Sequence, residues 1–262
     1  MEKSKRIAII ILWSLLIPAV LVILGFADVN RNQQLCKGID VEVKIPGDDV
    51  IITEAEVLTM VSSTSEPLKG RKISSINLKS IESRIKRNPW IADAAVFPTL
   101  SGKLCVKAQP READIRIINR WGEQYYIDKT GIMYPTRPGF PARVLIASGI
   151  INTRFVKGGN VNEVPDSIKK RSILPSVMYL NKYIANDKFL TAIIGQIYVA
   201  ESGDIELVPI TANHTIIIGD TSHLERKFGK LVIFYDKILK TRGWDKYKTV
   251  NLKFENQIVC SK

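Results

Sequence analysis

Apolar and polar positions change their period several times along this chain, and each change marks an element. The first run, Ile7 to Phe26, "IAIIILWSLLIPAVLVILGF", is apolar throughout, with only Ser14 clearly polar. Its length at about 1.5 Å per residue gives roughly 30 Å, the hydrocarbon thickness of a bilayer. The preceding tail, "MEKSKR", carries Lys3, Lys5 and Arg6 against Glu2. That bias predicts a cytoplasmic tail and an exported remainder. A cleaved signal peptide is the other reading, with Gly25 and Ala27 as small residues near a cut, but its apolar core would be shorter, about 7–15 residues.

From Ala27 to Gly38 the chain is polar and reads as a stalk. "IDVEVKI" then places Ile39, Val41, Val43 and Ile45 at period two, which predicts a strand. "TEAEVLTMVSS" switches to helical spacing: Val57, Leu58 and Val61 share a side, and Thr53 and Glu56 stand in capping-box spacing. "INLKSIESRIKRN" repeats Leu78, Ile81 and Ile85 after Asn77 as N-cap. Pro89 disfavours helix for Asn88, so this helix must stop there. Trp90 is expected to fold beneath the helix end and cover its apolar stripe. "IADAAVFPT" and "KLCVKAQ" follow as strands joined at "SGK". The order is strand, helix, helix, strand, strand.

Beyond about residue 113 the pattern is strand and turn, with "DKTG" and "ESGD" as turn signals. "QIYVA", "IELVPI" and "HTIIIGD" read as successive antiparallel strands. "PDSIKKRSILPSVMYLNKYIAND" reads as helix with a break or restart at Leu174-Pro175. "TSHLERKFGKLVIFYDKILKTRG" predicts a long helix, with Ser222 and Glu225 as capping box and Leu224, Phe228, Leu231, Tyr235 and Ile238 as core stripe. Gly243 ends it. "KYKTVNLKFENQIVC" closes as a strand, with Val250, Leu252 and Phe254 facing the core and Thr249, Asn251, Lys253 and Glu255 facing outwards; Phe254, near the end of the apolar run, is open to lying where the two sets meet.

Charge narrows the function classes. Lys and Arg outnumber Asp and Glu 38 to 26, a net charge of +12. The charges are spread, which fits a soluble surface, with attraction to anionic lipid or wall polymer as the sharper alternative. An exported chain without a basic-aromatic repeat argues against a nucleic-acid partner. Cys36, Cys105 and Cys260 cannot all pair within one chain. Cys105 is expected as a small buried hydrophobe, and Cys260 is one partner open to Cys36. His214 and His223 lack zinc-site spacing and read as surface or capping residues. No nucleophile elbow or phosphate-cradling loop is present. Asp48-Asp49 reads as a solvated turn. The expectation is a non-enzyme without cofactor, metal or small-molecule substrate.

"NPWIADAAV" in this element order resembles the POTRA domain of the FtsQ/DivIB family of bacterial cell-division proteins. Pro110, Tyr125, Asp128, Gly131 and Pro135 match that family's pattern after the POTRA domain, "ARVLIASG" stands where its next strand and glycine lie, and "VNLKF" stands where it has a "VDLRY"-like last strand. Many relatives have a tryptophan after that strand; this chain ends "IVCSK". The resemblance implies an α+β protein in five parts: a cytoplasmic tail (1–6), a transmembrane anchor (7–26), a stalk (27–38), a POTRA-like domain (39–112) and a mainly antiparallel beta domain with flanking helices (113–262). It gives structural roles to Pro89, Trp90, Asp128 and Gly131.

The resemblance also implies a scaffold in the cytoplasmic membrane at the division septum. Single-span partners of the FtsB and FtsL type would be recruited at the last strand, through Asn251, Lys253, Phe254 and Glu255. That strand could instead simply close the core. Two other function classes remain open at this stage: a membrane-anchored cell-wall enzyme or its accessory, and a POTRA chaperone in protein export.

Overall fold

The computed structural model describes residues 13, 14, 16, 18, 34–44, 51–63, 67–163, 172–243 and 246–262. The expected anchor, 7–26, lies outside these except for Trp13, Ser14, Leu16 and Pro18, which are helical. Among the described residues no helix is long and apolar enough to cross a membrane. The chain divides into two compact units, and its main passage from the first to the second falls between Pro110 and Arg111.

The first unit is a three-stranded sheet with two helices. Strand β1 (Gly38–Val43) runs parallel to β3 (Lys103–Pro110), which pairs antiparallel with β2 (Ile91–Pro98), so β3 is central. Helix α1 (Glu54–Ser62) starts at the expected capping box: the Thr53 Oγ1 accepts from the Glu56 N–H at 3.3 Å, and Glu56 accepts from the Thr53 N–H at 2.9 Å. Helix α2 (Leu78–Lys86) starts at Asn77, whose Oδ1 accepts from the Ser80 N–H at 3.0 Å. Val57, Val61, Ile81 and Ile85 bury against Ile91, Leu104, Val106 and Ala108. On the other side of α2, Glu82 accepts from the Val96 N–H at 2.8 Å and so occupies a donor of the edge strand β2.

Four expectations need correction here. Leu58 is exposed; the buried residues of that helix are Val57 and Val61, with Met60 half-buried against the same core. Trp90 is half-buried and is not among the buried core residues; the Asn88 Oδ1 accepts its N–H at 3.0 Å and sets the corner after Pro89. Cys105 lies on the outward side of β3, half-buried between Leu104 and Val106, whose side chains take the inward positions. From Gln34 onward the expected stalk belongs to the unit: Leu35 bridges Lys72, and Cys36 is buried. All three cysteines are free thiols.

The second unit is built on a nine-stranded sheet. Its strands are β4 (Ala113–Ile118), β5 (Gln124–Asp128), β6 (Met133–Pro135), β7 (Leu145–Gly149), β8 (Ile194–Val199), β9 (Ile205–Pro209), β10 (Thr215–Gly219), β11 (Thr249–Asn251) and β12 (Val259–Ser261). The spatial order is β12-β11-β10-β9-β8-β7-β4-β5-β6. Most neighbours are antiparallel, but β4–β7, β7–β8 and β10–β11 are parallel. A parallel neighbour needs a crossover, and helices supply it at β7–β8 and β10–β11. Helices α3 (Leu174–Ala185) and α4 (Lys188–Ile193) lead from β7 to β8. Helix α5 (Leu224–Ile233) leads from β10 to β11 and continues through a π-helical stretch, Phe234–Leu239, to Lys240–Arg242. Val177, Leu180, Ile184, Phe228, Leu231, Phe234 and Leu239 bury against Ile197, Leu207, Ile216, Ile218 and Val250.

Three local expectations also differ in this unit. The capping box at Ser222 is absent: His223 is the N-cap in a left-handed conformation, φ 51°, and the Ser222 hydroxyl donates to Asp220 instead. His214 is buried, not a surface residue; its Nε2 meets the Tyr235 hydroxyl at 2.9 Å, and burial pushes its pKa down. The π-helical stretch widens the stripe: Phe234 and Leu239 are fully buried, and Ile238 packs half-buried against the same core.

Candidate partner-binding edge

The end of the chain does not form one strand. Asn251 closes β11 by accepting the Lys253 N–H on its own Oδ1 at 3.0 Å, an Asx-type turn. After a connection of seven residues, Leu252 to Ile258, the chain returns as β12, antiparallel to β11, in the register Asn251↔Val259, Val250↔Cys260 and Thr249↔Ser261. Among the described residues the edge strand at this end of the sheet is therefore β12, with β6 at the other end, and β11 is an interior strand.

The expected residues are distributed differently from one another. Val250 and Leu252 are fully buried, but Phe254 is 46% exposed and stands outside the core. The ammonium of Lys253 reaches Asp204 at 2.8 and 3.0 Å, its stem lying over Gly219, where a Cβ would come within 2.9 Å of Lys253 Cγ. Glu255 pairs with Arg226 of α5 at 2.9 Å. Three acids (Asp204, Asp220, Glu255) and three bases (Arg226, Lys227, Lys253) thus line one polar cleft of about 420 Å³, each matched by an opposite charge. Lys227, 5% exposed, is tied to Asp220 at 2.7 Å, and its ammonium with the Ser222 donors holds that carboxyl well below the usual range. A larger apolar cavity of about 800 Å³, beside Met133, Val161 and Leu174, shares no lining residue with this cleft.

Lys230 explains why the chain reverses. Its ammonium donates to the carbonyls of Leu252 at 2.8 Å, of Phe254, and of Gln257 at 3.5 Å, collecting carbonyls that the turn leaves without strand partners. Burial pushes its pKa down, and the neighbouring Arg226 and Lys227 charges add to that. The clasp presents Phe254 at the rim and delivers the chain into β12. Lys230→Met is expected to loosen the 252–258 connection at a cost of only about 1 kcal/mol to the unit, because the site is partly solvated. Hydrogen exchange of that segment should accelerate while the core amides stay protected; unchanged exchange at 252–258 would show the clasp to be idle.

On the sheet face away from the helices, Val259 continues a row that runs Asn251, Ile217, Glu206, Tyr198 and Ser148 through successive strands. Val259 is 43% exposed, while Cys260 packs inward beside Val250. Arg226, Lys230 and β12 were not singled out from sequence. The polar "FENQ" between "VNL" and "IVC" was the available signal for a turn there. Among the described residues no group of His, Cys, Asp or Glu is placed to hold a metal ion.

Asp128 and Gly131, expected as structural residues, lie together at the β5–β6 turn, remote in sequence from the edge. Asp128 is buried and paired with Arg111, and Gly131 holds φ +90°. Pro89 lies at the α2–β2 corner of the first unit.

Comparison with known families agrees with this architecture. Residues 34–109 match the POTRA-like domain, and residues 114–261, more than half of the chain, match the family described as FtsQ/DivIB, C-terminal related. No curated protein matches the chain. On the extent of that second match, and with a POTRA-like unit preceding the mixed sheet, the chain belongs to the FtsQ/DivIB family of cell-division proteins.

Proposed function

We propose that this protein is a non-catalytic scaffold of the division machinery, anchored through residues 7–26, which recruits small single-span partners of the FtsB and FtsL type by strand addition at its C-terminal sheet edge. The observation that carries the reading is β12, which among the described residues has one neighbour and an open side, with Val259 exposed on it and Phe254 exposed in the connection before it. Unpaired N–H and C=O groups along such an edge can be satisfied by an extended segment of another chain, and side chains beside it choose the partner. Lys253 and Glu255 support the site from behind through Asp204 and Arg226; Phe254, Val259 and Ser261 are placed for direct contact. Two proteins held in one membrane meet at a raised effective concentration, so a short added strand suffices. Linking the partners to septal wall synthesis is then a matter of position.

Photocrosslinkers placed one at a time at Phe254, Val259, Cys260 and Ser261 in dividing cells test this. The expected result is capture of one small membrane protein from Phe254, Val259 and Ser261, and much less from the inward-facing Cys260. Equal capture from all four, or none from a chain that stays folded and membrane-bound, rejects strand addition at this edge.

A further inference from the structure

We propose that the end of the first unit formed by Gln34, Leu35 and the β2–β3 hairpin tip is a lipid-facing surface, seated on the bilayer that holds residues 7–26. Leu100 stands at that tip with 97% of its surface exposed, and Leu35 is 51% exposed. They share one end of the unit: the Gln34 Nε2 donates to the Leu100 carbonyl at 3.1 Å, and the Lys37 N–H donates to the Gly102 carbonyl at 2.8 Å. The next loop closes the same end, with Leu35 bridging Lys72 and the Gly70 N–H donating to the Cys36 carbonyl at 2.7 Å.

Single exposed leucines are ordinary on protein surfaces. The surroundings of this pair are not. Lys37, Lys69 and Lys72 are exposed around it, and among the described residues there a nearby acid, Asp40, is already held by Lys103 at 3.1 Å. Leucines ringed by lysines match a membrane interface with anionic headgroups, where apolar side chains enter the acyl boundary and ammonium groups stay at the phosphates. Chain length supplies the proximity. Gln34 follows Phe26 by eight positions, a reach of at most about 28 Å even when fully extended. The proposal rests on the anchor reading of residues 7–26, and adds a second contact that would fix how the POTRA-like unit stands on the membrane.

The test uses the full chain in vesicles of phosphatidylethanolamine and phosphatidylglycerol. Leu100→Cys, combined with Cys105→Ser and Cys260→Ser, carries an environment-sensitive nitrobenzoxadiazole label; Cys36 is buried. Gln109→Cys, exposed at the far end of β3, is the comparison. The expected result is a blue shift and quenching by doxyl lipids at position 100 but not at 109, both reduced when phosphatidylcholine replaces phosphatidylglycerol. A label at 100 as solvated as that at 109, in a chain that floats with the vesicles, overturns the proposal and leaves the anchor intact. A blue shift without lipid quenching also overturns it, because a second copy or another protein then covers the tip. A chain that fails to float removes the anchor reading and this surface with it.

Discussion

Gly149→Ala is expected to destabilise the second unit by about 4 kcal/mol or more, a large share of a domain's usual margin. Two effects combine. Gly149 holds φ +95°, where an alanine costs about 1–2 kcal/mol in backbone strain alone. Its added Cβ would also stand 2.2 Å from the carbonyl oxygen of Val199, with the nitrogen and carbonyl carbon of the same residue at 2.9 and 3.0 Å. These are backbone atoms of a fully flanked strand, so no side-chain rotation relieves the collision. Gly149 and Val199 are the last register pair of β7 and β8, and the Val199 carbonyl also accepts the Ile150 N–H at 2.9 Å. Pushing β8 away loosens the parallel pairing at the centre of the sheet. Gly203→Ala separates the two effects, since Gly203 has φ +85° with nothing within 4 Å of a Cβ. It should lose only about 1–2 kcal/mol. Thermal unfolding of the full chain in detergent, followed by circular dichroism, reads both variants. Equal losses would mean that the collision at Val199 is relieved and that strain alone operates.

What the sequence makes legible in this protein is mostly what neighbouring residues decide. The Thr53–Glu56 box and the Asn77 cap lie within one turn of the helices they start, and both form. The period-two runs of β1 to β3 and β8 to β10 declare their inward faces because each strand has a buried side. Misreadings arise where a distant group decides. His214 follows a polar turn and reads as exposed, yet Tyr235, one helix later, supplies the partner that buries it. Ser222 and Glu225 have capping-box spacing, but the left-handed His223 between them turns the hydroxyl to Asp220. Alternation through Val250, Leu252 and Phe254 suggests one uninterrupted strand. The Lys230 ammonium, about twenty residues earlier, gathers the carbonyls that reverse it. For that reason the general location of the candidate edge is readable in the sequence, while the strand that forms it is not.

Asp128→Ala should produce a loss of similar size, about 3–5 kcal/mol, because it takes the carboxylate away from a largely buried guanidinium. The Asp128 carboxylate accepts from Arg111 on one oxygen. On the other it accepts from the Thr130 N–H at 2.9 Å, the Thr130 hydroxyl at 2.6 Å and the Ile132 N–H at 2.9 Å. Both partners are shielded, with Asp128 at 7% and Arg111 at 16% side-chain exposure. Burial alone would raise the pKa of this carboxyl; the donors from Thr130, Arg111 and Ile132 outweigh it and hold the group below the usual carboxylate range. The sign of the pH dependence follows. A folded-state pKa below the unfolded value of about 3.9 gives stability that is complete above that value and is lost as pH falls through the folded pKa. Asp128→Asn keeps an acceptor for Thr130 and Ile132 but removes the charge facing Arg111, so it should lose less than the alanine variant at neutral pH. Urea unfolding of wild type and Asp128→Asn at pH 7 and pH 3 should show a gap that narrows in acid, because below about pH 3.9 the unfolded wild-type chain takes up a proton that the folded carboxyl resists. A gap of equal size at both pH values would mean that the Asp128 charge contributes nothing and that the turn is held by hydrogen bonds alone. The pair lies beside Tyr134, with the Arg111 guanidinium 5.8 Å from that ring and Tyr126 next to it, so its failure would loosen the β5–β6 hairpin, while β12 at the opposite end of the strand order keeps its own neighbours.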